Sequence, residues 1–241
     1  QLCCCPRGCK TILSSLILLH KFPSSLGHKY CISKTSASLS VPITDKKEIR
    51  STDLVALEYA DLNLTDNISQ ELGHVRIRQH VNPLSSSFSV PAPVPNWDEV
   101  FKDPTLPLMV DIGSAVKKHF SGSGRFLLWL AKQNPDSQNY LGLEIRAKLV
   151  KRAEFWVKEL ALSNVHFMFA NAAVSFKQLV STYPGPLALV SILCPDPHFK
   201  KRHHKRRVVQ TPLVNSILTR LMPEGKYALM DHHLLGLWHR K

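Results

Sequence analysis

From Leu106 onward, short apolar runs alternate with stretches of helical period. Leu108–Ile112, Tyr140–Glu144, Val165–Ala170 and Ala188–Cys194 are runs of strand length with few charges, the pattern of strands covered on both faces. Arg125–Gln133 and Arg146–Leu160 lie between them as predicted helices. The second carries Leu149, Val150, Ala153, Trp156, Val157 and Leu160 on one stripe, so Trp156 is read as core rather than as a ring for stacking a ligand. Thr211-Pro212 marks a further helix start, with Thr as N-cap and Pro in the first turn. Leu213, Val214, Ile217, Leu218 and Leu221 would form that helix's buried face. Repeated strand–helix units predict an α/β fold around a mostly parallel sheet, with helices on both faces.

Upstream the pattern is weaker. Residues 45–75 read as a mixed-charge connector, and Ser85 to Pro95 as an extended Ser/Pro-rich linker in which Pro91, Pro93 and Pro95 prevent regular helix. Three segments follow: a leader over 1–44, a connector over 45–105 and a catalytic-type domain over 106–241. No apolar run approaches the roughly 18 residues of a membrane span; the longest candidate, Ile12 to Leu19, is short and broken by two serines. No membrane association is expected.

Charge changes the picture more. The formal net charge is +13, an excess that favours a polyanionic partner such as nucleic acid. Part of it belongs to the leader, where Arg7, Lys10, Lys21, Lys29 and Lys34 are interspersed with serines and no acid precedes Asp45. That composition predicts a transit peptide for a chloroplast or mitochondrion, with cytoplasm or nucleus as the alternative. Four cysteines (Cys3, Cys4, Cys5, Cys9) crowd the leader without a second ligand pair at zinc spacing. Cys31 and Cys194, far apart in sequence, suggest reduced thiols.

Candidate chemistry gathers at the expected strand ends. Asp111-Ile112-Gly113 closes the first strand and Gly122-Ser123-Gly124 opens the next helix. Glu144, ending the second strand about twenty residues beyond the glycines, is placed to accept from both hydroxyls of a ribose. The glycine pattern is not the G-x-G-x-x-G of NAD enzymes, which favours S-adenosylmethionine. Asn171-Ala172 follows the third strand, where an adenine contact and an ordinary Asn-containing turn remain open alternatives.

The fourth strand runs into Pro195-Asp196-Pro197-His198-Phe199-Lys200-Lys201-Arg202-His203-His204-Lys205-Arg206-Arg207. This segment closely resembles the P-D-P-x-x-K-x-x-H-x-K-R-R motif of the tRNA (guanine-N7-)-methyltransferases. Arg76-Ile77-Arg78-Gln79-His80-Val81-Asn82-Pro83, Gly142-Leu143-Glu144-Ile145-Arg146 and Asn171-Ala172 agree with that family in order. The resemblance covers roughly Val75 to Gly225 and implies a Rossmann-like class I methyltransferase acting on tRNA, as a monomer, with S-adenosylmethionine as methyl donor. It implies Asp196 as the catalytic acid and Lys200 beside it as a substrate contact. Asp111, Gly113, Glu144, Arg146, Asn171, Ala172 and Leu193 are then the cofactor positions. Lys200, Lys201, Arg202, Lys205, Arg206 and Arg207, with no acid among them, are expected to hold RNA phosphates. His198, His203 and His204 have no Asp, Glu or Cys partner nearby at helical spacing, so no metal is expected.

Two departures from the family pattern remain. Ala115–Ser121 interrupts what would otherwise read Asp111-Ile112-Gly113-Ser114-Gly122-Ser123-Gly124, putting two lysines and a Phe where the methionine end of the cofactor approaches. After Lys226 the tail Tyr227–Lys241 aligns with nothing in the family, so the sheet is expected to be C-terminally incomplete, with an uncovered edge. A tRNA-binding chain with impaired cofactor binding is the alternative these departures leave open.

Overall fold

The computed structural model describes Leu62, Leu64 and residues 81–113, 124–193, Pro195, His198, 200–231 and 234–239, with backbone alone from 227 on. Strands β1 (Leu108–Ile112), β2 (Asn139–Glu144), β3 (Val165–Phe169), β4 (Leu187–Leu193), β5 (Leu221–Asp231) and β6 (Leu234–His239) form one sheet. Their order is β3-β2-β1-β4-β5-β6. The first five are parallel, and β6 pairs antiparallel to β5. The four strands expected from apolar runs are found within a residue at each end.

Side-chain alternation divides the buried strands between two layers of helix. Val110, Ile112, Leu141, Leu143, Val190 and Ile192 share one core with Trp97, Phe101, Phe176, Leu179, Leu213 and Ile217. These residues draw in α1 (Trp97–Val100), α4 (Ala172–Thr182) and α5 (Thr211–Arg220). On the opposite face, α2 (Arg125–Gln133) and α3 (Ala147–Glu159) pack against β2, β3 and each other. Gly142 is required there for packing, because a Cβ would meet the Phe167 ring at 2.4 Å. Trp156 is 2% exposed, a core position as its stripe predicted. The guanidinium carbons of Arg125 and Arg152 lie 5.2 and 5.3 Å from its ring centroid.

Three differences from the sequence-based expectations are physical. Thr211 lies inside α5 rather than capping it; Gln210 is the N-cap, and no side-chain cap bond forms there. The Ser/Pro-rich stretch is extended but packed: Ala92 is buried and its N–H donates to Ser175 Oγ on α4 at 3.0 Å. Lastly, the sheet does not stop at Lys226. β5 continues to Asp231, and β6 pairs along it from Lys226↔His239 to Asp231↔Leu234, so β5 is not the uncovered edge expected.

Candidate functional site

Between β1 and β4 the strand order reverses. In an open parallel sheet, ligands bind beyond the carboxyl ends of the strands at this point, because the loops there diverge and leave a crevice. A cavity of about 430 Å³ opens there, within the usual range for a small-molecule site. Its floor is built from consecutive strand ends: Ile112 and Gly113 at the end of β1, Leu143 to Arg146 at the end of β2, Ala170 to Ala172 after β3, and Leu193 and Pro195 at the end of β4. Gly113 sits at φ 76°, a left-handed conformation that glycine adopts without a Cβ penalty.

Among the described residues, the acid that lines the cavity is Glu144. Glu144 is 1% exposed, and its Oε1 accepts from Arg146 N–H at 2.9 Å. The Arg146 side chain is paired to the same carboxylate, with Nε 3.9 Å from Oε1. The bond to Arg146 helps to fix the orientation of the carboxylate. Apolar Leu143, Ala170 and Ala172 flank it. A slot with apolar walls and one oriented carboxylate suits the adenosine half of S-adenosylmethionine.

Asp111 behaves otherwise than expected. It does not line the cavity. Alternation along β1 turns it to the opposite face from Ile112, beside its register partner Ser191 on β4, whose hydroxyl donates to Asp111 Oδ1 at 2.6 Å. Burial pushes its carboxyl up to about 7, partly offset by the Ser191 hydroxyl, with the Glu144 charge adding to the rise.

Asn171 also departs from a simple ligand contact. Its Oδ1 accepts from Ala173 N–H at 3.2 Å and caps α4. Its Nδ2 donates to the carbonyls of Pro83 and Phe88, each at 3.1 Å. Residues 81–90 are thereby drawn across the site, where Val81, Pro83, Leu84, Phe88 and Ser89 line the cavity. The sequence did not assign this wall to the site; its signals were the family-like stretch ending in Val81-Asn82-Pro83 and Phe88, the single aromatic between Ser85 and Pro95.

The basic tract forms the far wall. Lys201–Arg206 is a 3-10 helix, closed by His203 N–H to Lys200 O at 2.7 Å and Arg207 N–H to His204 O at 3.0 Å. Gln210 ties it down by donating to the carbonyls of His204 and Arg207 at 2.9 and 3.2 Å. The tract is divided. Lys205, Arg206 and Arg207 line the cavity, whereas Lys200, Lys201 and Arg202 are exposed and do not. His198 also lines the cavity, at φ 40°, with its ring centroid 6.4 Å from that of His203. Desolvation holds His203 below its ordinary value, assisted by the positive charges of Arg206, Arg202 and Lys200 and by His198. Asp196 lies outside the described residues, as does Ala115–Ser121; the neighbours Pro195 and His198 bracket Asp196 in sequence.

A family model described as "Putative methyltransferase" matches residues 106–235. A tRNA (guanine-N7-)-methyltransferase of Synechococcus elongatus is 45% identical over 165 residues, 68% of this chain and 73% of its own. This chain belongs to the tRNA (guanine-N7-)-methyltransferase family. A second member, from Synechococcus sp. strain JA-2-3B'a(2-13), is 51% identical over 156 residues, 65% of this chain. The chain spans 61% of that relative's length. A solved rRNA methylase from Streptococcus thermophilus superposes with a TM-score of 0.36 at 16% identity, over 57% of this chain and 68% of its own, too loosely to add to the topology.

Proposed function

We propose that the chain transfers a methyl group from S-adenosylmethionine to N7 of a guanine in tRNA, in the variable loop by analogy with the family, acting as a monomer. The observation that carries this reading is one cavity lined by Gly113, Glu144, Arg146, Asn171, Ala172 and Leu193 on one side and by Lys205, Arg206 and Arg207 on the other. When bound, the cofactor would supply a methyl group on a sulfonium, open to in-line attack at carbon by a ring nitrogen lone pair, with the neutral thioether S-adenosylhomocysteine as the leaving group.

The residues around the cavity have correspondingly simple tasks. Guanine N7 is unprotonated, so no base is needed to generate the nucleophile; the protein must hold it at near-attack distance and angle. Glu144, oriented by Arg146, accepts from the ribose hydroxyls. Asp196, assigned by resemblance, accepts from guanine N1–H and the exocyclic amino group, a donor pair that adenine lacks. Lys205, Arg206 and Arg207 hold backbone phosphates near the reacting base, and Lys200, Lys201 and Arg202 extend that positive surface outward.

Residues 1–44 are proposed as a transit segment for a chloroplast or mitochondrion, supported by their basic, serine-rich, acid-free composition; a fluorescent fusion of these residues that stays in the cytosol would remove that part. The activity is tested by incubating the purified chain with unmodified tRNA and methyl-labelled S-adenosylmethionine, then mapping the product. Label at guanine N7 is expected. Absence of transfer, both from this chain and from one lacking Ala115–Ser121, retires the reading in favour of a tRNA-binding chain without catalysis.

A further inference from the structure

The wall formed by residues 81–90 lies across the cofactor cavity, yet regular structure contributes little to holding it. A single 3-10 turn (Ser86–Phe88) and local bonds such as Phe88 N–H to Ser85 O at 2.9 Å shape it. The Asn171 amide, at the N-terminus of α4, ties it down, its two N–H groups matching the two carbonyls they meet, Pro83 and Phe88. Downstream, Ala92 N–H to Ser175 Oγ anchors the chain one turn further along the same helix. The Phe88 ring stands edge-on to Phe169 with centroids 6.0 Å apart. Leu84, beside it on the cavity wall, is 53% exposed, and Phe169 is 47% exposed.

We propose that residues 81–90 form a strap closing the adenine side of the cofactor slot, and that Asn171 is a positioning residue that latches this strap instead of reading the adenine with its side chain. This rests on the cofactor reading above. The Asn171 amide has two donors, both committed to the strap, and its oxygen already caps α4. It has no remaining N–H with which to recognise a purine. Leu84 and Phe88 instead supply an apolar cover opposite Leu143, Ala170 and Ala172, so that a flat aromatic ring would be held by burial between the strap and the strand ends.

Two substitutions separate latch from cap. Asn171→Asp and Asn171→Ser both keep an oxygen able to cap the helix, and both lose the two donors to Pro83 and Phe88. Agreement between a charged and a neutral replacement removes any direct effect of charge. By calorimetric titration with S-adenosylhomocysteine, each is expected to bind about tenfold more weakly than the unsubstituted chain, the scale of two absent hydrogen bonds. Melting temperature and cofactor-free tRNA affinity should stay unchanged.

Phe88→Ala supplies the decisive comparison. If Asn171 acts through the strap, Asn171→Ser combined with Phe88→Ala weakens binding by much less than the product of the two single effects. Fully multiplicative losses would mean that Asn171 touches the ligand itself, and unchanged binding in both Asn171 variants would mean that there is no latch. Either result overturns the proposal while leaving the cofactor reading intact. Failure of the unsubstituted chain to bind S-adenosylhomocysteine overturns both.

Discussion

The two walls of the cavity are built by opposite means. The strand-end wall is buried and fixed: Glu144 is 1% exposed and bonded to Arg146, and the backbone beneath is held by parallel ladders. The basic wall is a short 3-10 helix whose hold on α5 includes the Gln210 amide, and Lys200, Lys201, Arg202 and Lys205 are exposed. The first wall suits a ligand recognised by shape and a few directed bonds. The second suits a polyanion, whose phosphates are attracted over a Debye length and need no fixed register. The proposed chemistry falls to Asp196, at the junction in sequence between Pro195 and the basic tract.

The largest effect should come from that junction. Asp196→Asn keeps the size of the side chain but loses the carboxylate proposed to hold guanine, and methyl transfer should fall about 100-fold or more, because misplacing the nucleophile is costly. Cofactor affinity should be retained. Transfer at the unsubstituted rate would remove Asp196 from the catalytic role.

Within the basic wall, the structure sharpens the comparison between inward and outward charges. Replacing Lys201 and Arg202 by Ala should weaken tRNA binding and reduce the salt slope by about 0.7–0.9 for each phosphate left without its cation, with no change in S-adenosylhomocysteine affinity. Replacing Lys205, Arg206 and Arg207 should flatten the slope further and weaken cofactor binding as well, since these residues line its cavity. Equal behaviour of the two sets, measured by filter binding from low to high salt, would erase the division between them.

A smaller effect tests the strand-end wall from beneath. Asp111 titrates near 7 in the fold against 3.8 for an ordinary aspartate. Between those values the folded chain binds more protons than the unfolded chain, so this group makes stability fall as pH rises from about 4 to about 7 and then level off. Asp111→Asn removes the titration and should flatten that part of the urea-unfolding profile. Parallel profiles for the two proteins would show that Asp111 is ionised throughout.

Much of the strand-end wall was legible in the chain. Strands buried on both faces write themselves as apolar runs, and Glu144 and Asn171 terminate two of them. Asp111 stands away from the cavity lining because the motif records its place in sequence, while alternation along β1 decides which face it takes. The helix Ala172–Thr182 went unseen, although Ala172, Phe176, Leu179 and Val180 carry its buried stripe, because Asn171-Ala172 was read as an adenine contact or an ordinary turn and not as a helix start. The strap was hidden for a different reason. A Ser/Pro-rich segment has no hydrophobic period, and its role depends on bonds from Asn171 to carbonyls 83 and 88 residues away. The basic tract was plain as charge, but its division into inward and outward residues follows from the pitch and docking of the 3-10 helix.

The most direct test of the account is an equilibrium titration of the chain and its Glu144→Gln variant with S-adenosylhomocysteine. Glu144→Gln keeps the side-chain volume and loses the charge that ribose hydroxyls donate to, so binding should weaken about 10- to 100-fold, the scale of a hydrogen bond to a charged group. Binding by the unsubstituted chain with that loss is the predicted result. Equal affinity in the two proteins, or no binding by either, would contradict the assignment of the strand-end cavity to the cofactor.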